Sequence, residues 1–172
     1  ILALFASLST WSTHGEDLPN MVFLMTDDQG WGDVGYNGHP KIKTPHLDDM
    51  AKTAMRFDRF YAGGSVCSPT RASCMTGRCN WRVSINDPSR ADKEHLPKEE
   101  ITLPEALKAK GYVTGHFGKW HLGGFDEKMA KGPVHVMPPW KAGFDECFSS
   151  FNVLVTHDPY AKIGKHGIEG LY

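Results

Sequence analysis

The amino-acid sequence predicts an α/β fold, with a mostly parallel central sheet held between helix layers. Three observations carry that expectation. Met21-Val22-Phe23-Leu24-Met25-Thr26 is a continuous apolar run too short to favour a helix, and such runs suit a strand buried on both faces. Thr44-Pro45-His46-Leu47-Asp48-Asp49-Met50 carries a capping residue, a proline suited to the first turn and acidic residues near the positive helix end. The chain then continues as a second strand and a second helix, the alternation expected of a layered α/β domain.

Asp27 and Asp28 come directly after the first strand, at the carboxyl end where open α/β sheets place their ligands. Adjacent carboxylates repel, and a divalent cation bound between them relieves the repulsion; hard oxygen donors suit calcium or magnesium. A solvated turn is the plainer reading of Asp27-Asp28-Gln29-Gly30, and Asp33 reads as a loop-organising residue. In the first helix Leu47, Met50, Ala51, Ala54 and Met55 recur at helical spacing and read as core packing against the sheet. Residues 57–62 read as a short strand, and Gly63-Gly64-Ser65 as a flexible approach to Cys67.

The second helix is expected to start just after Cys67, with Ser68 as N-cap, Pro69 at the first helical position and Gly77 at the close. Cys67 then sits at a positive helix end, where free N–H groups and aligned peptide dipoles favour an anion, including a negative atom on residue 67 itself. Residues 79–100 are polar and irregular, and His95 within them reads as solvated. Thr102-Leu103-Pro104-Glu105 is a capping box that opens a helix over residues 103–110, closed by Gly111. Residues 112–117 alternate as a strand and deliver Gly118-Lys119-Trp120-His121. In an extended segment Lys119 and His121 project to one side, and a cation beside an imidazole can hold a tetrahedral oxyanion and exchange its protons. Residues 124–143 read as a long surface loop near the substrate mouth, residues 148–155 as another strand, and His157 as a loop histidine.

The chain has 172 residues, 40% of them apolar, and a net charge of −1, which excludes the basic excess of a nucleic-acid-binding protein. The apolar start at residues 1–8, followed by a small-residue stretch over 9–15, reads as the remnant of a secretory signal and implies an exported protein. It is too short to span a bilayer. Four cysteines lack any C-x-x-C spacing, so a structural zinc site is not expected.

Cys67-Ser68-Pro69-Thr70-Arg71, with Thr76-Gly77-Arg78 after it, resembles the signature of the type I sulfatases, a branch of the alkaline phosphatase superfamily. Three further stretches share the resemblance. Asp27-Asp28-Gln29-Gly30-Trp31-Gly32-Asp33 resembles that family's metal motif, and Gly143-Phe144-Asp145 its G-F-D. The pattern G-Y-x-T-x-x-x-G-K-x-H is met by Gly111, Tyr112, Thr114, Gly118, Lys119 and His121. The departures, His46 where the family often has Asn and Cys79-Asn80 in place of a proline-containing turn, touch none of the site residues.

The resemblance implies an alkaline-phosphatase-like fold and hydrolysis of sulfate esters. It implies that Cys67 is oxidised to formylglycine by a formylglycine-generating enzyme, and that a hydroxyl of the hydrated aldehyde attacks sulfur. Asp27, Asp28 and residue 67 would hold a divalent cation, calcium by resemblance with magnesium as the alternative. Arg71 would fix and screen the attacking hydroxyl, His121 would help deprotonate the second hydroxyl, and Lys119 would neutralise the departing group. If Cys67 is consumed in this way, at most one internal disulfide remains among Cys74, Cys79 and Cys147.

The substrate implied is a sulfated small molecule or polysaccharide. The family's other metal ligands and leaving-group residues lie later in its chains, so residues 16–172 are expected to be the N-terminal part of a sulfatase catalytic domain, truncated on its C-terminal side and inactive alone. Three alternatives stand beside this reading: a phosphonate or phosphate monoester hydrolase of the same superfamily, a non-catalytic binding protein with unmodified Cys67, and a structural module.

Overall fold

Two strands pair in parallel: β1, Gly115–Lys119, and β2, Glu146–Ser150, in a register running from Gly115 opposite Glu146 to Lys119 opposite Ser150. The structure, a computed structural model, describes residues 18–88, 94–127 and 135–152. The expected signal remnant, residues 153–155 of the last expected strand and His157 lie outside them. Three helices accompany the sheet: α1, Pro45–Thr53; α2, Cys67–Thr76; and α3, Leu103–Lys108. A parallel strand pair with helices is the expected α/β class, but its strands are not the ones at residues 21–26 and 57–62 on which that expectation rests.

The pairing does not stop at the strand ends. Trp120 N donates to Ser150 O and His121 N to Phe151 O, each at 2.8 Å, so the backbone of the K-x-H segment stays bound to the chain leaving β2. The core forms around that segment. Trp120, Leu122 and Phe125 are buried with Ala72 of α2, Val83, Ile85 and Leu96 of the intervening loop, and Met137 and Ala142 of the returning chain. Trp120 is 1% exposed and its indole Nε1 donates to Met137 O at 2.6 Å. Burial of a large apolar side chain contributes about 1.5–3 kcal/mol, and the hydrogen bond removes the penalty of a dry indole N–H.

Motif residues outside the site hold this frame. Asp145 accepts from Lys108 Nζ at 2.6 Å, Thr114 N at 2.9 Å and Thr114 Oγ1 at 3.0 Å, tying α3 and the entry to β1 to the start of β2. Those bonds, with the Lys108 hydrogen bond the largest influence, hold its carboxyl below the usual carboxylate range. The capping box forms as expected: Glu105 N donates to Thr102 Oγ1 and Thr102 N to Glu105 Oε2. Thr102 Oγ1 also donates to Ala142 O at 2.6 Å, which docks α3 on the loop before β2.

Several expectations are corrected. Residues 21–26 do not form a buried strand: Val22 is 85% and Leu24 80% exposed, and no described strand pairs with the run. A strand of this composition is buried only when neighbours cover both faces, and none do here. Residues 57–62 likewise form no strand, and Phe57, Phe60 and Tyr61 are exposed. The apolar stripe of α1 is not core either, since Leu47, Met50 and Met55 lie at the surface and α1 packs on a short 3₁₀ turn, Gly35–Asn37, instead of a sheet.

Element ends shift as well. The helix carrying the cysteine begins at Cys67 itself, Val66 is its N-cap, and Ser68 is a buried helical residue with another use. Helix α3 ends at Lys108, β1 starts at Gly115 and β2 spans 146–150. Parts of the expected surface loop are core: Phe125, Met137, Pro138 and Pro139 are buried, and a parallel bridge joins Gly124 to Val136. His95 is half-buried, its ring stacked on that of His135 with centroids 4.2 Å apart.

Candidate active site

Helix α2 builds the site because of how it starts and stops. Val66 is extended, with φ −135° and ψ 171°, and Cys67 is the first helical residue, so it sits at the positive end of the helix dipole. Pro69 in that turn sacrifices no helical hydrogen bond, and Thr70 Oγ1 bonds both the carbonyl and the N–H of Gly64, fixing the approach to the cysteine. The helix stops at Gly77, whose φ of 66° lies in the left-handed region and whose N–H returns to Ser73 O at 2.9 Å. Cys67 is half-buried, and Arg71 lies one turn further along the same helix.

Arg71 reaches from α2 to the end of β1. Its Nη1 donates to Lys119 O at 2.6 Å, and its Nη2 lies 3.7 Å from Asp27 Oδ1. Lys119 Nζ, at the last residue of β1, donates to Asp27 Oδ2 at 2.7 Å. The Arg71 and Lys119 side chains are only 12% and 11% exposed, against 39% for Asp27. Burial works to raise the Asp27 pKa, but the hydrogen bond from Lys119 and the charges of Lys119, Arg71 and His121 outweigh it and hold the carboxyl below its ordinary value. Arg71 Nε is buried without a hydrogen-bond partner among the described residues, leaving one guanidinium donor uncommitted.

His121 comes to the same place by a different route from the one strand alternation suggests. Residue 119 ends β1, and His121 has φ 56°, so Lys119 and His121 are not two same-side positions of one strand. His121 is 3% exposed, its ring edge-on to Phe151 at 5.6 Å. Its carbonyl accepts a 2.7 Å hydrogen bond from Ser68 Oγ, which serves there in place of the N-cap role expected of it. A serine hydroxyl at a helix start serves either purpose, and nothing local to the sequence separates them.

Asp28 lies on the surface with φ 55°, and Asp33 organises its loop as expected, accepting from Gly30 N at 2.7 Å. Among the described residues no three His, Cys, Asp or Glu side chains gather as a metal-binding set. Asp27 and Asp28 therefore suit a hard cation in the kind of donor they offer, and would provide only part of the six or so oxygens such an ion takes. None of Cys67, Cys74, Cys79 and Cys147 is joined in a disulfide, so the internal bridge left open by the cysteine count is not formed.

Helix α2, opening at the half-buried Cys67, places Arg71 against the end of β1, where it and Lys119 share the Asp27 carboxylate at one end of a parallel α/β pair. The sulfatase family model matches residues 19–165, and the chain belongs to the sulfatase family. It is 38% identical over 161 residues to mouse (Mus musculus) N-acetylgalactosamine-6-sulfatase, covering 88% of this chain and 29% of that protein. To human (Homo sapiens) arylsulfatase A it is 46% identical over 130 residues, covering 73% of this chain and 24% of that protein. The chain thus spans less than a third of the length of these relatives.

Solved structures agree. One, of the protein Ps i-CgsB in complex with k-i-k-neocarrahexaose, is 32% identical with a TM-score of 0.63, covering 74% of this chain and 27% of that one. Another, in complex with its substrate D-glucosamine-2-N,6-O-disulfate, is 30% identical with a TM-score of 0.58, covering 75% of this chain and 22% of that one.

Proposed function

We propose that this chain is the N-terminal part of a sulfatase that hydrolyses sulfate esters at residue 67, with Cys67 converted to formylglycine. The observation that carries the reading is the cluster of Arg71, Lys119 and Asp27, drawn together from three separate parts of the sequence, with Arg71 one helical turn beyond Cys67. Once formed, the modified side chain supplies a hydrated aldehyde, one hydroxyl to attack sulfur and a second to release the sulfate afterwards.

The chain's own residues divide the remaining work. Arg71, with its uncommitted Nε inside the cluster, holds and screens the attacking oxygen of residue 67. Lys119 contributes positive charge where the ester's negative charge gathers, and His121 takes the proton of the second hydroxyl. Asp27 and Asp28, with residue 67, would hold a divalent cation, calcium or magnesium, whose chemistry is to polarise a sulfate oxygen. Asp27 is already paired through both oxygens with Lys119 and Arg71, contacts that a bound cation would have to share or replace.

The substrate class is a sulfated sugar or a sulfated small molecule, supported by the carbohydrate ligands of the related structures. Export is supported by the apolar run at residues 1–8. No helix among the described residues is long and apolar enough to cross a membrane. The deciding experiment compares sulfate and phosphate esters of one aryl alcohol with the full-length protein. Preferential turnover of the sulfate ester, lost in Cys67→Ala, is expected; equal or better turnover of the phosphate ester would make the protein a phosphomonoesterase instead.

A further inference from the structure

We propose that Ser68 is a positioning residue that sets the placement of His121 against residue 67. The inference rests on the reading of His121 as the proton-transfer group. Ser68 is completely buried, and its hydroxyl spans 53 residues of sequence to donate to His121 O at 2.7 Å. His121 needs such an anchor. A non-glycine residue at φ 56° is strained and persists only where its surroundings hold it.

The anchors lie on both sides. Phe151 O accepts from His121 N at 2.8 Å on the sheet side, while α2 grips alternate carbonyls of the same segment, Arg71 on Lys119 O at 2.6 Å and Ser68 on His121 O. Ser68 follows Cys67 directly, so this bond makes the imidazole's backbone ride on the helix that carries the reacting residue. Removing the hydroxyl strips a buried carbonyl of that donor and loosens the left-handed turn, with no loss of any group that touches substrate. Displacement of a reacting group by about 1 Å can cost as much as a hundredfold in rate.

The test uses the full-length protein and its Ser68→Ala, Ser68→Thr and His121→Ala variants. Rates are expressed per aldehyde at residue 67, counted by peptide mass, so that an effect on the neighbouring modification is removed. In Ser68→Ala, kcat for an aryl sulfate is expected to fall about tenfold, with KM within about twofold because the loss is in the transition state. The limb of the pH–rate profile that disappears in His121→Ala is expected to shift in Ser68→Ala, and Ser68→Thr to restore both rate and profile. A Ser68→Ala enzyme with wild-type kcat and pH profile, or a Ser68→Thr enzyme as impaired as Ser68→Ala, overturns the proposal. If Ser68→Ala does not fold, Ser68→Cys, a weaker donor of similar shape, takes its place; an intermediate loss supports the proposal and wild-type behaviour overturns it. Wild-type rate and profile in His121→Ala would remove the role of His121 itself, an outcome separate from failure of the Ser68 anchor.

Discussion

Lys119 Nζ lies 2.7 Å from Asp27 Oδ2, so an ammonium at the end of β1 and a carboxylate 92 residues earlier share one ion pair. Arg71 stands 3.7 Å from the other oxygen of that carboxylate, which makes Asp27 the point where three separate stretches of chain meet.

The pair gives the first prediction. Because the folded pKa of Asp27 is depressed, its contribution to stability is present above the unfolded value near 3.8 and is lost as pH falls through the folded value. Lys119→Met in the full-length protein is expected to lower stability at pH 7 by about 1 kcal/mol or less, since Asp27 is partly solvated. Urea unfolding at pH 7 and at acid pH below the carboxylate range checks this: the gap between wild type and variant should shrink in acid, and a constant gap would assign the effect to packing.

Gly143 supplies the second. Its φ of 99° is in the left-handed region, and an added Cβ would fall 2.6 Å from Glu105 Cγ and 3.0 Å from Glu105 N, whereas Gly38, at φ 89°, has nothing within 4 Å of the same position. Gly38→Ala is expected to cost only backbone strain, about 1 kcal/mol. Gly143→Ala should cost more, because the capping-box residue Glu105 must also move. Thermal unfolding of the two variants side by side checks the order, and equal losses would contradict it.

The legible and illegible parts of the fold divide along the same line of local against distant causes. Gly77 closing α2 and the Thr102–Glu105 box opening α3 were readable because each is satisfied within four residues. The exposure of Val22 and Leu24 was not, because an apolar run reports the need for cover and says nothing about whether cover is present. Trp120, Leu122 and Phe125 form the core, yet glycines and a left-handed histidine break their spacing into neither a helical nor a strand period. For the site, the resemblance singles out Asp27, Arg71 and Lys119. Their direct ion pairing was not readable, since it depends on α2 lying across the end of β1.

His116 carries the third prediction. It is held among the rings of Trp120 and Phe144 with a ring nitrogen 2.6 Å from Ser149 Oγ, and burial, helped by the Arg71 charge, lowers its pKa to about 4. The folded state therefore keeps it neutral while the unfolded chain, titrating near 6.5, takes up a proton. Its contribution is full above pH 6.5, declines as pH falls towards 4, and amounts at most to about 3 kcal/mol. Unfolding free energies from pH 7 to 4 should fall more steeply for wild type than for His116→Gln, and parallel curves would contradict the assignment.

Asp145 provides the fourth. Its hydrogen bonds from Lys108 and Thr114 bind α3 to the strand pair. Asp145→Asn keeps the shape and loses the charge, so a lower urea midpoint is expected, with Lys108→Met lowering it less because the Thr114 bonds survive. A larger loss in Lys108→Met than in Asp145→Asn would show that the helix contact, not the Thr114 anchor, holds this corner.

The proposed chemistry turns on residue 67 more than on any other atom of the site. Peptide mass analysis of that residue in the full-length protein, purified from a host able to modify it and assayed in parallel on an aryl sulfate, is the direct measurement. An aldehyde in place of the thiol, with activity proportional to its fraction, is the expected result. A fully active protein carrying an intact Cys67 thiol would contradict the mechanism.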